Sequence, residues 1–377
     1  MENYRDLFLG LENASYFYTG AESPSLKENK QSLTKYLEDK SKGELGRERA
    51  RKVEEEFKEN ISKLIRADSC EISLTGNASE AINNIIDAME IKSGSNIILN
   101  SLEYPSVVLP FLSLQKEKDI EIRILDSESG EINADEIEKS IDRDTCLVAF
   151  SHVSYVNGFR NDLKTLKKIT DQKQVPLLID ATQSLGVVDV DSNYFDMMVS
   201  SSYKWLLGPH GVGLTYISKE YLPKLKPKRV GWRSVPFIFT NKRFEEFEFS
   251  EDATKFELGF NNYPAIYALK ESTDLLLKIG ISKIEERVTE LGNELIYRLK
   301  KNGWSLLTPE DKDKRSGNIA VVCRNGEKVM KELDEKNIKI WGGDGRLRFS
   351  VNFYNNVNDI QNLIRELSYI KERGEFT

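Results

Sequence analysis

The apolar positions change period several times along the chain, and each change marks an element. Val53, Phe57, Ile61 and Ile65 recur every four residues among charged neighbours. That spacing predicts an amphipathic helix following an N-terminal arm. From about residue 70, short apolar runs take over: CEISLT, NIILNS, IEIRIL, CLVAFSHV, PLLID, DMMVSSS and GVGLTYIS. Stretches of helical character separate several of them, among them SEAINNIIDAMEI, ADEIEKSIDR and DLKTLKKITDQ. In the first of these, Ile82, Ile85, Ile86 and Met89 share one face. Continuous Val/Ile/Leu strands alternating with helices predict an α/β domain, its largely parallel sheet covered on both faces. Ligands of such sheets bind beyond the carboxyl ends of the strands, so residues there are the ones to inspect.

After about residue 225 the pattern changes. A less regular stretch leads into YPAIYALKESTDLLLKIG and then ISKIEERVTELGNELIYRLKKNG. The latter predicts a long amphipathic helix with Ile284, Val288, Leu291, Leu295 and Leu299 inward. NIAVVC, IKIW and RLRFSVNFY read as strands, and NDIQNLIREL as a last helix. The expected organisation is an arm over 1–20, a large α/β domain over 21–255 and a small α+β domain over 256–377.

The 377 residues are 39% hydrophobic and carry a net charge of −7 from 54 basic and 61 acidic side chains. A sizeable core is expected, and a general nucleic-acid binder is not. Cys70, Cys146 and Cys323 lie far apart, which argues against a disulfide framework or a zinc ribbon. With His152 and His210 as the two histidines, a multi-histidine metal site is excluded. No apolar run approaches the length of a transmembrane helix, and the N-terminus lacks a signal-peptide pattern. The expected location is cytoplasmic, with no membrane partner.

The Walker, GxGxxG and HExxH motifs are absent. The informative stretch is 176–216. One strand ends at Asp180; a later one ends at Ser201, Ser202, Tyr203 and Lys204, before the loop WLLGPHGVG. A lysine at the mouth of an α/β crevice can form an imine with an aldehyde cofactor. A carboxylate beside it can keep a pyridinium nitrogen protonated. On residue types alone, the pair reads equally as a surface lysine and a sheet-edge aspartate. Upstream, LTGNASEAINN places Gly76, Asn77, Ala78 and Ser79 between a strand and a helix, with Asn77 and Glu80 spaced as N-cap and N3 acid. Free N–H groups at such a helix start can bind phosphate, although an ordinary capped helix has the same sequence.

The pattern D-x-x-Q, then S-x-[HY]-K and a GPxGxG turn, resembles the class V aminotransferase family of fold-type-I pyridoxal-phosphate enzymes. That family includes cysteine desulfurases, isopenicillin N epimerase-like proteins and, more distantly, kynureninases. The resemblance spans about 70 to 370. It implies a seven-stranded type of sheet in the large domain, pyridoxal 5'-phosphate as cofactor, an amino-acid substrate and a homodimer. It also assigns roles. Lys204 would hold the cofactor's aldehyde, Asp180 its pyridinium nitrogen and Gln183 its phenolic oxygen. Ser201, Ala78 and Ser79 would bind the phosphate, helped by Tyr203 where the family usually has histidine. Tyr104, replacing the histidine of an E-H pair, would stack on the ring, and Tyr155 would sit beside it. Arg348, in GDGRLRFSVNFYNNVNDI, would grip the substrate α-carboxylate. Arg346 is expected to face solvent. Asn261 or Asn262 would reach the partner subunit's cofactor, since Phe260 replaces the family's threonine. Trp232 and Arg233 read equally as entrance and as structural loop, and His152 and His210 as structural.

These implications make a class V aminotransferase the leading reading. A lyase, a kynureninase-like hydrolase or an epimerase-like enzyme stays open, as does a catalytically silent module. IKIWGGDGRLRFS carries no cysteine where desulfurases keep their nucleophile, so a persulfide-forming desulfurase is disfavoured.

Overall fold

The computed structural model describes residues 4–127 and 130–373. The N-terminal arm supplies β1 (Ser15–Tyr16), then come α1 (Asn29–Lys40) and α2 (Glu44–Ile65). α2 buries Val53, Phe57, Ile61 and Ile65, as their four-residue spacing requires. α1 was not legible in the sequence: its buried positions are Asn29, Ser32 and Asp39, so no apolar stripe announces it.

The expected alternation follows: β2 (Ile72–Thr75), α3 (Ala78–Ala88), β3 (Asn96–Asn100), α4 (Pro105–Glu117), β4 (Glu121–Leu125), α5 (Ala134–Ser140), β5 (Thr145–Ser151), α6 (Leu163–Lys173), β6 (Leu177–Asp180), β7 (Met197–Ser201) and β8 (Gly213–Ile217). These strands form one seven-stranded sheet in the order β2-β8-β7-β6-β5-β3-β4. β8 runs against its neighbours β2 and β7; the other pairings are parallel. Alternate side chains feed two cores. Ile98, Val148, Phe150, Ile179 and Met198 pack with α2 and α6 on one face. Ile97, Leu99, Leu147, Leu178 and Val199 pack with α3 and α4 on the other.

The chain continues through α7 (Tyr263–Ile279) and α8 (Ile281–Lys301), then β9 (Asn318–Val322), α9 (Gly326–Glu335), β10 (Ile338–Lys339), β11 (Trp341–Gly343), β12 (Arg346–Ser350) and α10 (Val357–Glu372). β11, β12 and β9 make an antiparallel sheet whose core contains Leu347, Phe349, Leu363 and Leu367. The two cores share the long helix α8. Ala265, Ile266, Leu269, Ile284 and Val288 belong to the large core, and Leu291, Leu295 and Leu299 to the small one. The changeover thus lies within α8, because a rigid helix carries one apolar stripe across both bodies. The arm does not stand apart either. β1 pairs with β10, and Phe17 is buried in the small core.

Candidate active site

The carboxyl ends of β5, β6 and β7 open onto a cleft. Its lining includes Ala78, Ser79, Tyr104, Tyr155, Asp180, Gln183, Ser201, Tyr203 and Lys204. Nine residues singled out from the sequence, spread over 127 positions, therefore meet at one place. Parallel strands bring this about: each ends on the same edge of the sheet, so loops distant in sequence become neighbours.

One end of the cleft is built for an anion. α3 starts there, with Asn77 as N-cap accepting from the Glu80 N–H at 2.9 Å. Glu80 in turn accepts from the Gly76 N–H at 2.8 Å. The N–H groups of Ala78 and Ser79 belong to the first turn and have no acceptor within the helix. β8 lies so close beneath that a Cβ on Gly213 would be 2.3 Å from the carbonyl carbon of Asn77. Ser79 Oγ lies 2.8 Å from Ser106 Oγ. Across the cleft, the buried Ser201 Oγ has no hydrogen-bond partner. An unpaired buried hydroxyl and free N–H groups in one cleft fit a phosphate.

The middle is set by Asp180 and Lys204. Asp180 ends β6; its Oδ1 accepts from the Thr182 N–H at 2.8 Å. Burial pushes its carboxyl up, while Thr182 and Lys204 pull it down. Lys204 is also buried, and its amine is lowered to about 8, first by burial and second by the charge of Arg348. A neutral amine is thus within reach near neutral pH. Its Nζ lies 5.5 Å from the Tyr104 ring and 5.6 Å from that of Tyr203. The Tyr203 ring stacks on His210 at 4.1 Å. Tyr104 and Tyr155 meet edge to face at 5.0 Å. Gln183 closes the floor: it donates to Gly20 O at 2.9 Å and accepts from Trp205 Nε1 and Asn318 Nδ2. One of its amide hydrogens stays available.

Three of the residues singled out stand outside the lining of the cleft. Arg348 lies behind the lining, where its Nη1 donates to the Tyr155 carbonyl at 2.8 Å. Arg346, expected to face solvent, is 4% exposed. Residues two apart on a strand share a face, so burying Arg348 buries Arg346 with it. Asn261 does not join the cleft: its amide donates to Glu54 and Glu257, both at 3.2 Å. His152 is buried, and burial and then Arg160 hold its imidazole well below its usual value.

The sequence reading missed Ser106, Ser151, Thr182 and Glu103. Glu103 lies directly below the lining, accepting from Ser151 N at 2.7 Å, Ser151 Oγ at 2.5 Å and Asn100 Nδ2 at 2.5 Å. Its carboxyl is raised to about 7, chiefly by burial. Its place before Tyr104 was a usable signal. Among the described residues, no group of His, Cys, Asp or Glu side chains is arranged to hold a metal.

The family model for aminotransferase class-V matches residues 16–363. The chain belongs to that family. The enzyme's cofactor is accordingly pyridoxal phosphate, and the anion cradle, the buried amine and the buried carboxylate all fit it. A probable cysteine desulfurase of Methanothermobacter thermautotrophicus is 27% identical over 347 residues, 86% of each chain. An uncharacterized aminotransferase of Bacillus subtilis, YcbU, is 24% identical over 371 residues, 97% of each chain. Among solved structures, the apo cysteine desulfurase of Thermococcus onnurineus superposes with a TM-score of 0.91, at 22% identity and 99% coverage of both chains. That likeness confirms the fold-type-I architecture. Among the described residues, no helix is long and apolar enough to cross a membrane.

Proposed function

We propose that this class V enzyme transaminates an amino acid, with Lys204 as covalent anchor and proton carrier. The observation that carries the reading is the buried Lys204 amine lining one cleft with Asp180, its proton affinity lowered by burial and by Arg348. Bound pyridoxal phosphate supplies an electron sink for the charge left when a bond at the substrate α-carbon breaks. Asp180 would keep its ring nitrogen protonated, and the free amide hydrogen of Gln183 would serve its phenolic oxygen. Ala78, Ser79, Ser201 and Tyr203 would hold its phosphate, and Tyr104 and Tyr155 would wall the part of the cleft that takes its ring. Arg348 takes the α-carboxylate through N–H groups left over from Tyr155. That fixes the α-hydrogen near the Lys204 amine, which removes it and can return a proton at a neighbouring atom.

A homodimer belongs to the same reading. Trp232, Phe237, Phe239, Phe244 and Phe247 are exposed in one irregular stretch, a concentration of apolar surface that supports a protein contact there. In such a dimer Asn261 or Asn262 would lie near the partner's cofactor.

A second reading comes from the relatives named cysteine desulfurase. Cys70 is exposed, Cys146 half-buried and Cys323 buried, and none lines the cleft. Sulfur chemistry here would release sulfur from the substrate directly, as a lyase does. The deciding experiment incubates the cofactor-loaded protein with an amino-acid panel, with and without a 2-oxo acid. Transamination requires the 2-oxo acid for sustained turnover and yields a new amino acid. Sulfide from cysteine without a 2-oxo acid establishes the lyase instead. Lys204→Ala must lose both turnover and borohydride labelling; retained turnover refutes the role of Lys204.

A further inference from the structure

The strand that carries Arg348 carries a second buried cation on the same face. Arg346 and Arg348 are each 4% exposed, and their roots stand roughly 6.5 Å apart at ordinary strand rise. Trp341 sits against both, with its ring 4.8 Å from the guanidinium carbon of Arg346 and 5.3 Å from that of Arg348. Arg346 also lies 5.3 Å from the Tyr155 ring, which lines the cleft. Tyr155 is therefore a wall common to the cleft and to Arg346.

The charges here are one-sided. Arg346 pairs with Asp344 at 2.5 Å, but the Asp344 side chain is 72% exposed at the tip of the β11–β12 hairpin. Arg348 has the neutral carbonyl of Tyr155. The Nε atoms of both arginines are buried without a hydrogen-bond partner. Burial and then Arg346 lower the Arg348 guanidinium, and Arg348 in turn lowers Lys204. Two buried guanidiniums, each with an unused Nε donor, stand near the Lys204 amine, while the acids around them are Asp180 at the cleft and Asp344, which meets Arg346 from solvent. An α-carboxylate satisfies Arg348 and leaves Arg346 with the solvent-exposed Asp344 as its anion.

We propose that Arg346, with Trp341 and Tyr155, forms a side-chain subsite selecting amino acids that end in a second acidic group. This rests on the proposed function, in which Arg348 takes the α-carboxylate. The distal anion runs along the Tyr155 ring to Arg346 and displaces Asp344, whose exposed ion pair costs little to exchange. Trp341 keeps both guanidinium planes fixed, which favours bidentate pairing. An amide side chain replaces the acid poorly, because it offers Arg346 one acceptor oxygen instead of two, carries no charge and turns its NH2 toward donors.

The test uses the cofactor-loaded enzyme, as wild type, Arg346→Leu and Asp344→Asn. Turnover is compared for aspartate and glutamate, for their amides, and for alanine. Binding of succinate, which has no amino group to react, is followed by calorimetry. Wild type should favour the acids over their amides by about tenfold or more, as expected for a charge-assisted hydrogen bond. Arg346→Leu should erase that preference and weaken succinate about tenfold, leaving alanine turnover near the wild-type value. Asp344→Asn, which keeps Arg346 and removes its competitor, should tighten succinate. Turnover of neutral amino acids without any acid preference overturns the subsite alone. Equal loss for every substrate in Arg346→Leu, with succinate unchanged in Asp344→Asn, also overturns it. No response to any amino acid overturns the functional reading and the subsite together.

Discussion

Replacing Lys204 by methionine should stabilise the cofactor-free protein at neutral pH. Folding lowers this amine from 10.5 to about 8, mainly through burial. That difference corresponds to roughly 3 kcal/mol against folding while the amine is charged. The unfolded chain keeps the proton up to its higher pKa. Between about 8 and 10.5 it therefore binds more protons than the folded protein, and stability rises with pH. Below that window the penalty is fully present; above it the penalty is gone. Methionine fills a similar volume, carries no charge and relieves Arg348 of a like-charged neighbour. The attraction of Asp180 and the repulsion of Arg348 are both already contained in that net shift, so the gain stays at about 3 kcal/mol. Urea unfolding of both proteins across pH 6.5–10.5 measures it, and the difference between them cancels the titration of other groups. The gap should be widest at neutral pH and close as pH rises through the window. A methionine variant that is less stable at neutral pH, or a gap that does not move with pH, would refute the argument. The physical content is that the reactive amine is held at a cost to the fold, as in other functional sites.

Three further outcomes are expected. Ser201→Ala should leave the stability of the cofactor-free protein within about 0.5 kcal/mol, since the hydroxyl has no partner, yet weaken cofactor binding about tenfold in an absorbance titration. Glu103 has its carboxyl raised from 4.5 to about 7. Its contribution to stability is fully present below the lower value and lost as pH rises through the upper one, roughly 3 kcal/mol in all. Glu103→Gln should flatten that slope, and its amide, set against the Ser151 donors, should cost about 1–3 kcal/mol near pH 5 by urea midpoint. Joint replacement of Cys70, Cys146 and Cys323 by serine, serine and alanine should keep turnover within about twofold, because none lines the cleft; loss of sulfide release from cysteine alone would restore a protein-thiol route.

What the sequence determined by itself was local. Asp180 and Lys204 were legible because each follows directly on a short apolar strand, and parallel topology sends strand ends to one edge. Ala78 and Ser79 were legible because a capped helix start is written in consecutive residues. α4 was obscured by Pro105 and Pro110, which read as chain breakers although one begins the helix and the other is tolerated within it.

What the tertiary structure decided was every assignment that depends on a partner far along the chain. The small core admits the arm through the pairing of β1 with β10, which no local pattern encodes. Asn261 is held by Glu54 and Glu257, and Glu54 lies on a helix two hundred residues away. Arg346 looked like a surface residue because charge usually means exposure. The register that sets Trp341 opposite Arg348 turned that whole strand face inward. Alternation along a strand states which residues share a face; only packing against the rest of the molecule decides which face is buried.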